Sequence, residues 1–87
     1  SKTNYLKKIL NIIENISFQK KRNSDQMNLL SILIERYYLM MSLNFSLNSS
    51  KYYFNYMYIA KLIDKMKIYN LYEKNIFIQI KNILQHE

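Results

Sequence analysis

A chain of 87 residues is long enough for one small domain and too short for a second hydrophobic core. It contains no cysteine, glycine or proline, which excludes disulfides and disfavours β-hairpins and glycine-rich phosphate loops, because both rely on residues that accept a positive φ. The net charge of +7 suits nucleic acid, an anionic membrane surface or an acidic protein as a partner, or serves only to keep the chain soluble.

Helical periodicity predicts a first helix over residues 3–17. Its apolar stripe consists of Tyr5, Leu6, Ile9, Leu10, Ile12, Ile13 and Ile16, and polar residues fill the opposite face. The polar stretch Gln19–Ser24 follows, and within it the basic tract Lys20, Lys21 and Arg22 is interpreted as a solvated loop or as an element that binds phosphates or lipid headgroups.

A second helix is predicted over residues 24–43, with Asn23 as its N-cap and Gln26 completing a capping box. Its inner line is Leu30, Leu33, Ile34, Tyr37 and Met41. Its only charges after the first turn are Glu35 and Arg36. So much apolar surface around one helix predicts that it is the most enclosed of the four.

The third helix is predicted over residues 51–66, capped by Ser49 or Ser50. The positions predicted to face inward are Tyr52, Tyr56, Ile59, Leu62, Ile63 and Met66. One helix cannot bury all of Tyr52, Tyr53, Phe54, Tyr56, Met57 and Tyr58. Some of these side chains must face solvent. Two interpretations stay open: packing at the edge of the core with the hydroxyls reaching water, or an aromatic contact surface, because tyrosine is enriched at interfaces.

A turn over 67–71 leads to a fourth helix over residues 71–86, where Asn70 and Glu73 form a second predicted capping box. Ile76, Phe77, Ile80, Ile83 and Leu84 form its apolar face. Four amphipathic helices joined by short connections predict an all-α fold, an antiparallel up-down-up-down four-helix bundle occupying residues 1–87 as a single domain.

The sequence contains few residues that could carry out catalysis. His86 is the only imidazole and lies next to the last residue, and no Cys/His metal spacing occurs. Glu14, Asp25, Glu35, Asp64 and Glu73 all fall on predicted polar faces. We therefore expect no enzyme activity, no cofactor and no metal.

Two further absences concern location. Residues 1–22 lack the apolar core and small-residue cleavage site of a secretory signal. The longest nearly apolar run, Tyr52–Ala60, is shorter than the roughly 20 residues needed to span a bilayer. A cytoplasmic protein is expected.

The order of these features resembles the enterocin A immunity family, which protects producers of class IIa (pediocin-like) bacteriocins. The resemblance covers about residues 7–84. It lies in the first-helix segment Ile9–Ser17, the leucine-rich segment Leu29–Leu33, the third-helix segment Phe54–Ile59, Lys67–Ile68, and Tyr72 followed by Ile76, Ile80 and Ile83.

The resemblance implies a cytosolic four-helix bundle, a fraction of which lies at the inner face of the membrane. Its partner would be the membrane subunits of the mannose phosphotransferase permease with bacteriocin bound, and its effect would be to block the pore. The C-terminal half of the family is thought to select the bacteriocin. Exposure and position within that half give the candidate contacts Tyr53, Tyr58, Lys61, Lys65, Lys67, Tyr69, Asn70, Tyr72 and Lys74. Many relatives carry a further C-terminal tail, which has no counterpart in this sequence up to Glu87.

Two other readings of the same surface stay open. A small basic nucleic-acid- or ribosome-associated helical protein would also carry a charge of +7 and many tyrosines, and its binding would weaken steeply with salt. A structural subunit would bury its tyrosines by self-association. The leading interpretation predicts a monomer that does not bind nucleic acid.

Overall fold

The computed structural model describes residues 2–18 and 24–87. These residues form four α-helices and one short 3-10 turn, with no strand among them, which confirms the predicted all-α fold. The elements are α1 Lys2–Phe18, α2 Ser24–Asn44, the 3-10 turn Ser46–Asn48, α3 Ser49–Tyr69 and α4 Lys74–Gln85.

The predicted bounds of α1 and α2 are correct to within one residue, whereas those of α3 are too short at both ends. Helix α4 begins at Lys74, three residues later than predicted, because α3 continues through Tyr69 into the predicted turn. The 3-10 turn feeds directly into α3, so Ser49 and Ser50 lie inside the helix and do not cap it. The preceding residue, Asn48, makes no side-chain hydrogen bond to the first turn. The predicted capping by serine is therefore wrong.

Asn70 ends α3 and does not begin α4. It adopts the left-handed conformation (φ 52°, ψ 38°), and its backbone N–H donates to the carbonyl oxygen of Met66. The N–H of Leu71 donates to the same oxygen at 3.0 Å, as in a Schellman motif. The residue before α4 is Glu73, whose side chain makes no cap hydrogen bond. The predicted capping box of Asn70 and Glu73 is thus replaced by a C-terminal cap, because asparagine tolerates a positive φ in a chain without glycine.

Replacing Asn70 with glycine is expected to raise the free energy of unfolding by a few tenths to about 1 kcal/mol, because glycine adopts this conformation without strain. Alanine at the same position should lower it by about 1 kcal/mol. The matched control is Asn11→Gly on the exposed face of α1, where the same exchange in a helix interior should be destabilising. Urea unfolding followed by circular dichroism measures all three, and a destabilising Asn70→Gly would contradict the assigned cap.

The helices pack in chain order around the bundle. The four contacting pairs are α1 with α2, α2 with α3, α3 with α4 and α4 with α1, and α4 is the least closely packed. The two diagonal pairs have no Cα atoms within 8 Å of each other among the described residues. This is the predicted up-down-up-down arrangement, in which α2 and α3 form a closely packed antiparallel pair joined by the 3-10 turn.

The buried residues of all four helices form one core. They are Ile9, Ile13, Ile16, Met27, Leu30, Ile34, Tyr37, Tyr38, Met41, Tyr52, Ile59, Ile63, Met66, Phe77, Ile80 and Leu84. The other positions predicted to face inward are half-buried at its edge; these are Tyr5, Leu6, Leu10, Ile12, Leu33, Tyr56, Leu62, Ile76 and Ile83. Periodicity therefore identified the correct face of every helix.

Helix α2 is less enclosed than its composition predicts. It contributes more buried side chains than any other helix of the described chain, as expected. Its outer face nevertheless exposes Leu29, Ile32, Leu39 and Leu43. The physical reason is geometric: each helix of a four-helix bundle touches only two neighbours, so a helix that is apolar all round must leave one face uncovered.

Three elements of the sequence interpretation lie outside the described residues. These are the polar stretch after α1, its basic tract Lys20–Arg22, and the predicted N-cap Asn23. Helix α2 does begin at Ser24, and Asp25 occupies its first turn, where a negative charge suits the helix dipole.

Candidate functional site

The solvent-facing side of α3 brings four of the predicted contact residues together. Tyr58, Lys61, Lys65 and Tyr69 recur at helical spacing and are all exposed. The Tyr58 hydroxyl accepts a hydrogen bond from Nε2 of Gln79 on α4 at 3.0 Å, which fixes its ring at the α3–α4 boundary. We call these four residues the α3 face: two lysines between two tyrosines.

The remaining predicted contacts at this end of the bundle are spread over the α3–α4 turn and α4. Asn70 is exposed, whereas Tyr72 is half-buried against the core, so its predicted exposure is only partly correct. Lys74 lines a different hollow, between α1 and α4, together with Glu14 and Lys81. The turn therefore adjoins the α3 face, and Lys74 belongs to another side of the molecule.

Tyr53 and Lys67 project toward α2. Lys67 is half-buried, which corrects the prediction that it is exposed, and it lines a hollow between α2 and α3 that also contains Glu35 and Asp64. Tyr53 is 59% exposed and lines a second hollow farther along the same groove. The nine predicted contacts thus fall on three sides of the bundle and do not form one patch.

The second hollow, which we call the α2–α3 cleft, encloses about 230 Å³. Its lining residues are Glu35, Tyr38, Leu39, Ser42, Tyr52, Tyr53 and Tyr56. Glu35 and Tyr56 also line the hollow beside Lys67, so the two volumes adjoin. The sequence interpretation identified the aromatic side chains of α3 but missed the cleft, because the cleft depends on how two helices are placed in space.

The charge of Glu35 acts on the interior of the cleft. The pKa of Tyr56 is raised, chiefly by burial and further by the carboxylates of Glu35 and Asp64, which disfavour a tyrosinate anion. Glu35 is exposed and is the only charged residue among those that line the cleft. It therefore places a negative charge beside the cleft of a strongly basic protein.

Behind the cleft lies a buried group of polar atoms. Asn55 donates from Nδ2 to Oε1 of Glu87 at 2.6 Å, which ties α3 to the residues after α4. The hydroxyls of Tyr37 and Tyr38 and Oε2 of Glu87 are buried without a hydrogen-bonding partner at acceptable geometry among the described residues. Burial and, secondarily, the nearby charge of Glu87 raise the pKa of Tyr37 to about 12 and raise that of Tyr38 further.

A second feature escaped the sequence interpretation: apolar side chains around the α2–α3 connection. Leu39, Leu43, Phe45, Leu47, Tyr53 and Phe54 are all exposed, and we call them the connector patch. The rings of Tyr53 and Phe54 meet edge to face at 5.7 Å. Two sequence features indicated parts of the patch: α2 is apolar on nearly every side, and α3 has more aromatic residues than one helix can bury. Exposed apolar surface of this extent marks an interaction site in many proteins.

The described part of the chain contains neither a metal-binding cluster nor a membrane-spanning helix. No group of three or more His, Cys, Asp or Glu side chains is placed to hold a metal ion. No helix in these ranges combines the length and apolar character needed to cross a bilayer. The predicted carboxylate positions Glu14, Asp25, Glu35, Asp64 and Glu73 are all exposed, as expected.

Comparison of the chain with protein-family models, with curated proteins and with solved structures found no match.

Proposed function

We propose that this protein is an immunity protein against a pediocin-like bacteriocin, acting by contact with the membrane subunits of the mannose phosphotransferase permease once bacteriocin is bound. The proposal rests first on the resemblance of the helix order and third-helix sequence to the enterocin A immunity family. The observation that best supports a binding role is the α3 face, in which Tyr58, Lys61, Lys65 and Tyr69 are exposed together on the C-terminal half of the chain. Arrays of tyrosine and basic side chains suit protein interfaces, because they combine apolar area with charge.

The connector patch adds a second line of support. A face that leaves Leu39, Leu43 and Phe54 exposed is better suited to contact with a protein or with the membrane surface than to permanent hydration. In the proposed function, the protein resides in the cytoplasm and a fraction of it lies at the inner face of the membrane beside the permease.

The deciding experiment is expression of the chain in a bacterium that is sensitive to class IIa bacteriocins, followed by challenge with a panel of these peptides. We expect at least one bacteriocin to lose potency. Unchanged killing across a broad panel, with the protein shown by immunoblot to be present, would refute the proposal.

The charge of the α3 face is tested by the double variant Lys61→Glu/Lys65→Glu. Protection should fall by about tenfold or more in inhibitory concentration, because two attractive charges become repulsive at the contact. The matched control is Lys7→Glu/Lys8→Glu, which makes the same change of net charge on the exposed surface of α1. Each exchange should alter the free energy of unfolding by about 0.5 kcal/mol or less. An equal loss of protection in both double variants would assign the effect to net charge and not to the α3 face.

A further inference from the structure

The α2–α3 cleft has the composition of a site for one small functional group. At about 230 Å³ it is smaller than the roughly 300–1,000 Å³ of pockets that enclose whole ligands of drug size. Four of its seven lining residues are tyrosines, and Glu35 is the only charged one. A group that enters this space would meet aromatic rings on several sides and a carboxylate at the rim.

The tyrosine rings that line the cleft are tilted relative to one another and do not stack. Tyr38 is tilted by 51° from Tyr52 and by 56° from Tyr56, with centroids 6.4 and 6.2 Å apart. Tyr38 is 3% exposed, and its hydroxyl lies beside the carboxylate of Glu87. Aromatic rings set at angles, together with an acidic group, are the usual elements of a site for a cationic head group, because the face of each ring carries negative potential.

The groove carries more acidic than basic charge. In the hollow beside the cleft, the carboxylates of Glu35 and Asp64 share a single lysine, Lys67. The cleft has no lysine or arginine in its lining. A cation from outside would therefore complement the Glu35 carboxylate at that point.

We propose that the α2–α3 cleft binds the cationic side chain of a lysine or arginine presented by a helix of a partner protein. A protein is a better source than a free amine because the cleft opens within the connector patch, where Leu39, Tyr53 and Phe54 would be covered by the apolar face of that helix. The inference concerns the chemistry of the partner and holds whether or not the partner is a bacteriocin receptor.

The test uses the full chain and two synthetic helical peptides. Each has about 16 residues, with alanine and glutamine as the background, leucines along one face and blocked ends, a length sufficient for partial helix in water. One carries a single lysine at its centre, and the other carries norleucine, which has a similar apolar stem and no charge. We expect fluorescence anisotropy to show that the lysine peptide binds about tenfold more tightly. Backbone NMR shifts should be largest at Glu35, Leu39, Tyr53 and Tyr56.

Two variants locate the charge effect. Glu35→Gln should remove the tenfold preference for lysine. The control is Glu14→Gln, which should leave the preference intact. Glu14 is an exposed carboxylate on α1 and lines the hollow that contains Lys74 and Lys81. Circular dichroism verifies that both variants are folded. Equal binding of the two peptides by the unchanged chain would overturn the proposal, and so would an equal effect of the two variants. Binding of n-butylamine as tight as that of the lysine peptide would overturn the assignment to a protein partner.

Discussion

Replacing Leu30 with alanine is expected to lower the free energy of unfolding by about 2–5 kcal/mol. Leu30 is completely buried on α2, the helix that packs against both α1 and α3. The substitution loses the transfer free energy of the removed carbons and leaves a cavity between tightly packed neighbours. Because a domain of this size is stable by only about 5–15 kcal/mol, the loss takes away a large part of the total.

Leu43→Ala is the control for this prediction. It makes the same chemical change in the same helix, at a side chain that is 75% exposed. The change in unfolding free energy should be about 0.5 kcal/mol or less. Guanidinium unfolding followed at 222 nm compares the two variants. A loss at Leu43 as large as that at Leu30 would mean that the outer face of α2 is buried in solution, which would contradict the exposed connector patch.

The second large effect is a loss of stability in alkaline solution. Burial, and then the charge of Glu87, raises the pKa of Tyr37 to about 12 and that of Tyr38 further, whereas both tyrosines have a pKa near 10 when the chain is unfolded. Above pH 10 the unfolded chain therefore releases these protons while the folded chain retains them. The stability that they contribute is fully present below pH 10 and is lost as the pH rises through the folded pKa. Each tyrosine gives a slope of up to about 1.4 kcal/mol per pH unit.

The double variant Tyr37→Phe/Tyr38→Phe should abolish most of this alkaline slope. At pH 7 its free energy of unfolding should be close to that of the original chain, because the Tyr37 hydroxyl is buried without a hydrogen-bonding partner in the described structure and the Tyr38 hydroxyl meets the Glu87 carboxylate without a well-aligned hydrogen bond. Tyr53→Phe/Tyr69→Phe removes two exposed hydroxyls and should leave the slope unchanged. Urea midpoints measured between pH 8 and about pH 12 make the comparison. The same alkaline slope in both double variants would show that Tyr37 and Tyr38 are not the groups responsible.

One buried tyrosine links the alkaline effect to the proposed binding site. It belongs to the polar group formed by Asn55, Glu87, Tyr37 and Tyr38. Tyr38 lies in the core beside Glu87 and also lines the α2–α3 cleft. Its ring is therefore held on one side by the core and is available on the other to a group that enters the cleft. A rigid aromatic wall of this kind favours binding, because no side-chain freedom remains to be lost when a ligand arrives.

The sequence alone determined the number of helices and the face that each one buries. Both properties are local: an apolar stripe repeating every 3.6 residues can be satisfied only by a helix that packs on one side. Ile9 on α1, Ile34 on α2, Ile63 on α3 and Ile80 on α4 were all placed inward by this pattern and are all buried. The absence of glycine and proline similarly indicated a helical fold before any packing was known.

Only the tertiary structure determined which helix end a residue caps and which faces of the helices are buried or exposed. Asn70 could cap the end of α3 or the start of α4, and backbone geometry selected the former. Lys67 lies beside α2 and is half-buried because α2 packs against that side of α3. The outer face of α2 is exposed because each helix has only two neighbours. The cleft exists because α2 and α3 pack antiparallel, which brings together Glu35 and Tyr53, two residues that are eighteen positions apart in the chain. The period of a sequence specifies which side of one helix is apolar, whereas the contacts between helices are long-range and are not encoded in that period.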